Sequence, residues 1–158
     1  MKELIQELTE ILDKKTLVIW ATDCAEHSLS YFEEKYPNDL RPRKAIEAAR
    51  LWINGNLSIS EARKAAFESH EAAREAQEIG DKLSCSIARA CGHAVATVHV
   101  KEHAIHTSNY ITKQLPSEIN WHYKQLILVI KDRVSEIPHY IINLAKIITG
   151  NNNSISEI

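Results

Sequence analysis

The stretch GHAVATVHVKEHAIH, residues 92–106, decides the fold, because it carries four histidines and only two charged side chains. At about 100° per residue, one apolar stripe of a helix here comprises Ile87, Cys91, Ala94, Val95, Val98 and Ile105. Further apolar residues lie on the far side. A helix that is apolar around most of its circumference belongs in the middle of a bundle. We therefore predict a central helix over residues 82–113.

The histidines of this predicted helix follow a regular spacing. His99, His103 and His106 are spaced i, i+4, i+7 and should share one edge, whereas His93 should point elsewhere. Imidazoles that are buried or half-buried need hydrogen-bond partners or a ligand. The helix is therefore a candidate both for the structural centre of the protein and for its functional site.

Apolar residues recur at helical spacing along the rest of the chain. Gly55 and Gly80 mark helix ends, and Ser58 and Glu61 have the spacing of a capping box. The predicted helices cover residues 3–14 and 16–36, then a third that begins within the segment 38–42 and ends at about Asn54, then 59–79, 82–113 and 117–135. A last helix ends near Gly150. The sequence thus predicts an all-α fold, a compact bundle of about six to seven helices around the central histidine-bearing helix.

The length of 158 residues suits one domain, which we place at residues 1–150, with a frayed tail at 151–158. No run of about 18 uncharged apolar residues is present, so no membrane segment is predicted. The first residues are amphipathic and acidic rather than typical of a signal sequence, which favours the cytoplasm. Three cysteines without a C-x-x-C pair indicate neither a disulfide framework nor a zinc knuckle.

The charge pattern excludes a basic nucleic-acid footprint, because the net charge is −2. Residues 1–40 hold nine acidic and four basic side chains. Such a bias would suit a basic partner surface, although a solvated helical face is its commoner meaning.

The histidine edge raises the question of a metal. Two neutral imidazoles at i, i+4 can reach one divalent ion, so a metal-binding bundle or a metal-dependent hydrolase that uses His99, His103 and His106 is the alternative function. The pattern lacks the glutamate placement of H-E-x-x-H, because Glu102 projects away from that edge. We therefore predict hydrogen-bonded histidines, with no metal and no cofactor.

Arg41-Pro42-Arg43 places two guanidinium groups at the start of a predicted helix. Guanidinium groups make planar, two-pronged contacts with carboxylates or phosphates. The arginines could pair with acidic residues of this chain, for example Asp39, Glu33 or Glu34, or they could recognise a partner. In the first case they would fix the junction between the second and third helices.

Motifs spread over residues 20–110 give the chain a family resemblance. The first two are Trp20-Ala21-x-Asp23-Cys24-Ala25-Glu26 and Pro37-x-Asp39-x-Arg41-Pro42-Arg43-x-Ala45-Ile46-Glu47-Ala48-Ala49-Arg50-x-Trp52. The others are Ala62-Arg63-x-Ala65-Ala66 through His70-x-Ala72-Ala73-Arg74, and Gly92-His93-Ala94-Val95-Ala96-Thr97-x-His99-Val100 with His103-Ala104 and Tyr110. In this order and spacing they resemble the immunity-five-like helical family, described as immunity proteins of bacterial polymorphic-toxin systems.

The resemblance implies an all-α cytoplasmic protein that binds and neutralises a cognate toxin domain without chemistry of its own. The motif positions carried over as partner-binding candidates are Asp39, Arg41, Arg43, His93, His99 and His103. His106 is not part of the family pattern, and the segment after Tyr110 matches it poorly. A homo-oligomer is left open.

Overall fold

The computed structural model describes residues 6–7, 9, 10 and 12–133. Residues 6–7 and 9–10 are helical, as expected for the predicted helix over 3–14. The predicted last helix near Gly150 and the tail at 151–158 lie outside the described residues, and so does the end of the proposed domain.

Helices account for all the regular structure in the described part of the chain, which confirms the all-α prediction. The α-helices are α1 (Lys14–Ser28), α2 (Ser30–Glu33), α3 (Arg41–Ile53), α4 (Ile59–Glu78), α5 (Lys82–Ala96), α6 (His103–Gln114) and α7 (Ile119–Arg133). A 3-10 turn, Pro116–Glu118, precedes α7.

Local hydrogen bonds fix where several helices begin and end. The side chain of Asp13 accepts from the Thr16 amide at the start of α1. Ser58 and Glu61 form the predicted capping box of α4. Gly55 and Gly80, which follow α3 and α4, have φ of 77° and 79°, a conformation that glycine adopts without steric cost.

Asp81 joins three parts of the chain. Its carboxylate caps α5 by accepting from the Ser84 amide. It also accepts a hydrogen bond from the Tyr36 hydroxyl at 2.8 Å and pairs with the Lys35 ammonium at 2.7 Å. The start of α5 is thereby tied to the segment that follows α2.

The predicted central helix is α5. It packs against α1, α2, α3, α4 and α6, and ten of its fifteen residues are buried. Small residues allow α4 to approach it closely. The Ser69 hydroxyl of α4 donates to the Ala88 carbonyl of α5 at 2.8 Å, so the two backbones lie within reach of one short side chain.

The prediction of one continuous helix over 82–113 is wrong. The chain leaves the α-helix at Ala96, turns through residues 97–102 and begins α6 at His103. The Thr97 hydroxyl donates to the His93 carbonyl at 3.0 Å, and the amides of Val98 and His99 bond three residues back instead of four. The turn buries Val98 and brings α6 back against α5, so the apolar residues of the predicted single helix are buried in two.

Candidate functional site

Histidines from three elements meet where α4, α5 and α6 adjoin. His93 of α5 lies at the centre, with its ring centroid 4.9 Å from that of His70 in α4. The centroids of His103 and His106 in α6 lie 5.0 Å and 5.3 Å from it, and Tyr110 stacks on it at 5.2 Å. The expectation that His93 points away from the other histidines is therefore wrong, because α6 folds back over α5.

His93 and His103, two of the predicted site residues, are in direct contact. Their Nδ1 atoms lie 3.0 Å apart, a hydrogen-bond distance. One ring must donate and the other accept, so the contact requires that at least one ring is neutral, and when both are neutral they are different tautomers.

His99 lies in the turn and not on a helix, so the predicted edge of three histidines on one helix is also wrong. Its ring centroid is 5.5 Å from that of His103. We call His70, His93, His99, His103 and His106 the histidine cluster. His106 is exposed and the other four are half-buried, so the cluster is open to solvent on one side.

Gly92 makes room for His70. A Cβ at this position would lie 2.5 Å from Cε1 and 2.7 Å from Nδ1 of the His70 ring, closer than such atoms approach. The imidazole therefore packs directly on the α5 backbone. Sequence reasoning left His70 on a separate helix. The glycine inside a helix beside His93 is the signal that could have indicated a close neighbour.

Burial dominates the electrostatics of the cluster. It lowers the pKa of His70 to about 4 and that of His93 to about 3, with smaller contributions in the same direction from neighbouring histidines and Arg89. Burial also lowers the pKa values of His99 and His103. These four rings are therefore neutral at pH 7. The Nδ1 atoms of His70 and His99 are buried and have no hydrogen-bond partner among the described residues.

Among the described residues, no three His, Cys, Asp or Glu side chains are placed so that they could hold one ion. The His93–His103 contact directs two nitrogen atoms at each other. The alternative ligand set of His99, His103 and His106 is divided between the turn and α6.

Arg43 and Arg50 of α3 form a charge network with α1 and α2. Arg43 binds Glu33 through two hydrogen bonds of 2.7 Å and 2.8 Å and reaches Glu26 at 3.2 Å. Arg50 binds Glu26 at 2.8 Å and also pairs with Asp23. The Asp23 carboxylate in turn accepts from Gln125 of α7 at 2.6 Å.

Arg41 connects the start of α3 with α4. It holds Asp39 through hydrogen bonds of 2.9 Å and 2.7 Å and binds Glu75 at 2.9 Å. The hydrogen bonds from Arg41 lower the pKa of the Asp39 carboxyl group. The predicted pairing of the two arginines with Asp39 and Glu33 is confirmed. Glu26 and Glu75 are the partners that sequence reasoning missed, and the third predicted partner, Glu34, makes no ion pair with a described residue.

The two groups of predicted site residues lie apart. His93 faces α4 and α6, whereas Cys91, two residues earlier on α5, lies close enough to Arg43 to interact with it electrostatically. Two residues correspond to about 200° around a helix. The histidine cluster and the arginine network therefore occupy opposite sides of α5.

A hydroxyl–imidazole pair also lies inside the bundle. Ser108 of α6 and His122 of α7 are 2.8 Å apart between Oγ and Nδ1. Both residues are buried, and Trp20 donates to the His122 carbonyl at 2.9 Å. Burial lowers the pKa of His122 to about 4. A substrate cannot reach this pair, so it joins α1, α6 and α7 instead.

No helix in the described ranges is long and apolar enough to cross a membrane. No curated protein and no solved structure matches the chain. A family model described as "Imm-5 like putative immunity protein" matches residues 7–133, a range that includes every helix from α1 to α7, the arginine network and the histidine cluster. Since this match covers most of its length, the chain belongs to the Imm-5 like immunity protein family.

Proposed function

We propose that this protein is an immunity protein that binds a cognate toxin domain and neutralises it by occupying its surface, without catalysis. The observation that carries the proposal is the family match over residues 7–133. The cytoplasm is the compartment that we propose for this encounter, and a single domain is the unit that we propose to bind.

The chemistry of the described residues supports a binding role. A nucleophile must be reachable and activated by a base. The Ser108–His122 pair is buried, and burial raises the pKa values of the Cys24 and Cys91 thiols, which disfavours their reactive thiolate forms. None of these groups is suited to attack a substrate.

We assign the two groups of predicted site residues different tasks. His93, His99 and His103 are half-buried at the open side of the bundle, where a partner can contact them, and we propose that they face the toxin. Asp39, Arg41 and Arg43 are bound to one another or to acidic residues of α2 and α4. We propose that these three residues act on binding indirectly, by fixing the position of α3.

Co-expression with the toxin domain encoded beside the gene tests the proposal. We expect the protein to restore growth and to be purified with the toxin as a stoichiometric complex. His93→Gln should weaken protection. His27→Gln is the matched control, because His27 stacks on Trp121 at 3.8 Å, outside the histidine cluster. The proposal would be refuted if neither the wild-type protein nor any variant restored growth of the toxin-producing strain.

The same preparation separates this role from the alternative enzyme. Tightly bound metal together with hydrolysis of a phosphoester or an amide by the purified protein would favour the metal-dependent hydrolase. Under the binding proposal, protection should require at least an equimolar amount of the immunity protein relative to the toxin, since each molecule neutralises one partner and is not released by turnover.

A further inference from the structure

Arg89 differs from the arginines of α3. It lies one helical turn before His93 on α5 and is half-buried, yet it makes no hydrogen bond and no ion pair with any described residue. Arg41, Arg43 and Arg50 each bind two carboxylates. A half-buried guanidinium without an anion carries a desolvation cost that pairing would offset.

Several cationic side chains act electrostatically on the histidine cluster. Arg89 and Arg74 act on His70, Arg89 acts on His93, and Arg63 and Lys14 act on His99. The single acidic contribution among the described residues comes from Glu102, next to His103. Arg74 pairs weakly with the exposed Glu71 at 3.9 Å, and Arg63 and Lys14 make no ion pair with a described residue.

The cluster also holds hydrogen-bonding capacity that the described chain does not use. The Nδ1 atoms of His70 and His99 are buried without a partner among the described residues. His106 is exposed and His93, His103 and Tyr110 are half-buried, so an incoming group can contact these rings at the surface, whereas the two unpartnered Nδ1 atoms lie beneath it. Imidazole N–H groups and a guanidinium on neighbouring turns of the bundle are donors suited to a carboxylate.

We propose that the histidine cluster and Arg89 form a binding site for carboxylate groups on the surface of the toxin. This inference rests on the proposed function and names the chemistry of the contact. Arg89 binds one carboxylate by its two-pronged donor face, and the rings of His93, His103 and His106 donate to the same or a neighbouring carboxylate. Charge complementarity favours acidic side chains of the partner over basic or apolar ones.

Proton uptake follows from this contact. A carboxylate beside an imidazole favours the charged form of the ring, so the pKa of His93 or His103, lowered in the free protein, rises in the complex, and one ring of this hydrogen-bonded pair takes up a proton. The complex then holds more protons than the separate partners. By linkage, the affinity for the toxin rises as the pH falls from 7.5 to 6.0.

Calorimetric titration of the full chain with the purified toxin domain tests the site. Titrations at pH 7.5 and 6.0, each in two buffers of different ionisation enthalpy, measure proton uptake directly. We expect uptake on binding and a higher affinity at pH 6.0. We also expect Arg89→Gln to weaken binding by about tenfold or more, because it removes a charged hydrogen-bond donor.

The variants carry matched controls. Lys44→Gln removes one positive charge at an exposed position of α3 and should bind like the wild type. Arg89→Lys keeps the charge but loses the forked donor geometry, so it should restore only part of the affinity. His103→Gln, which removes one ring of the hydrogen-bonded His93–His103 pair, should reduce proton uptake.

The outcomes separate the two proposals. A complex that forms with pH-independent affinity, or that is unaffected by Arg89→Gln, overturns the carboxylate site and leaves the immunity function standing. Equal binding of inorganic phosphate by the free protein would assign the site to a small anion and also overturn it. Absence of any complex overturns the immunity function and this inference with it.

Discussion

The imidazole of His70 and the backbone of Gly92 occupy adjoining space in which no additional methyl group fits. A Cβ at residue 92 would lie 2.5 Å from the ring. The ring of His70 and a side chain at position 92 are therefore mutually exclusive in this arrangement, and the effect of changing one depends on the other.

We predict that Gly92→Ala destabilises the wild-type protein but stabilises the His70→Ala variant. Alanine gains about 0.5–1 kcal/mol over glycine inside a helix, whereas overpacking against the ring costs about 1–3 kcal/mol. In the His70→Ala variant the ring is absent, so Gly92→Ala brings only the gain in helix stability. Urea unfolding of the wild type, the two single variants and the double variant measures both effects. If Gly92→Ala changes the free energy of unfolding equally with and without the His70 ring, the ring and the glycine are not coupled.

We predict that Arg43→Ala lowers the free energy of unfolding by about 1–3 kcal/mol, because it leaves Glu33 and Glu26 without their shared partner. Lys44→Ala, an exposed change at the next position, should stay within about 0.5 kcal/mol of the wild type. The denaturant midpoint is the measurement. An unchanged midpoint for Arg43→Ala would indicate that this residue contacts the partner and does not stabilise the α2–α3 junction.

We predict that the stability falls as the pH is lowered from about 6.5 toward 4. In the unfolded chain histidine has a pKa of 6.5, whereas His70 and His93 in the folded protein have pKa values of about 4 and 3. The unfolded state therefore binds protons first, and acid favours it throughout this interval. Denaturant midpoints between pH 7.5 and 4.5 should decline, with a shallower slope for His93→Gln.

Ser60→Ala, at an exposed position of α4, is the control for this pH series and should keep the wild-type slope. If His93→Gln also keeps the wild-type slope, the ring of His93 does not contribute to the acid sensitivity.

We predict that Ser108→Ala costs about 1–3 kcal/mol of stability, although the change in volume is small. It removes the partner of the His122 Nδ1 atom in a buried site, and the Nε2 atom of the same ring already lacks a partner among the described residues. Thermal unfolding compared with Ser60→Ala, which alters an exposed hydroxyl, is the check. Equal melting temperatures for the two variants would indicate that the buried hydrogen bond contributes nothing.

The sequence predicted most of the fold because its signals are local. Capping at Ser58, turns at Gly55 and Gly80 and apolar periodicity are properties of short segments, and these elements lie where they were expected. The break after Ala96 was not predictable from periodicity. Val95 and Ala104 are buried on either side of the turn and Val98 is buried within it, so the apolar pattern continues although the helix does not.

Which residues meet in the histidine cluster depends on the break in the helix after Ala96. The reversal of the chain places His103 on His93, and no helical spacing could have indicated their contact. The arginine pairs show the same limit. Asp39 is two residues from Arg41 and was predicted as its partner, whereas Glu75 is 34 residues away and is brought to Arg41 only by the packing of α3 on α4.

The arginine network reduces the electrostatic effect that the acidic residues 1–40 have on an approaching molecule. Four of the nine acidic side chains among residues 1–40 are bound by arginines of α3, namely Asp23, Glu26, Glu33 and Asp39. Much of the negative charge that the sequence displays is thus cancelled at short range and projects little field into the solvent. A diffusing partner would receive little electrostatic guidance toward this face, and added salt should barely alter the rate at which it arrives there.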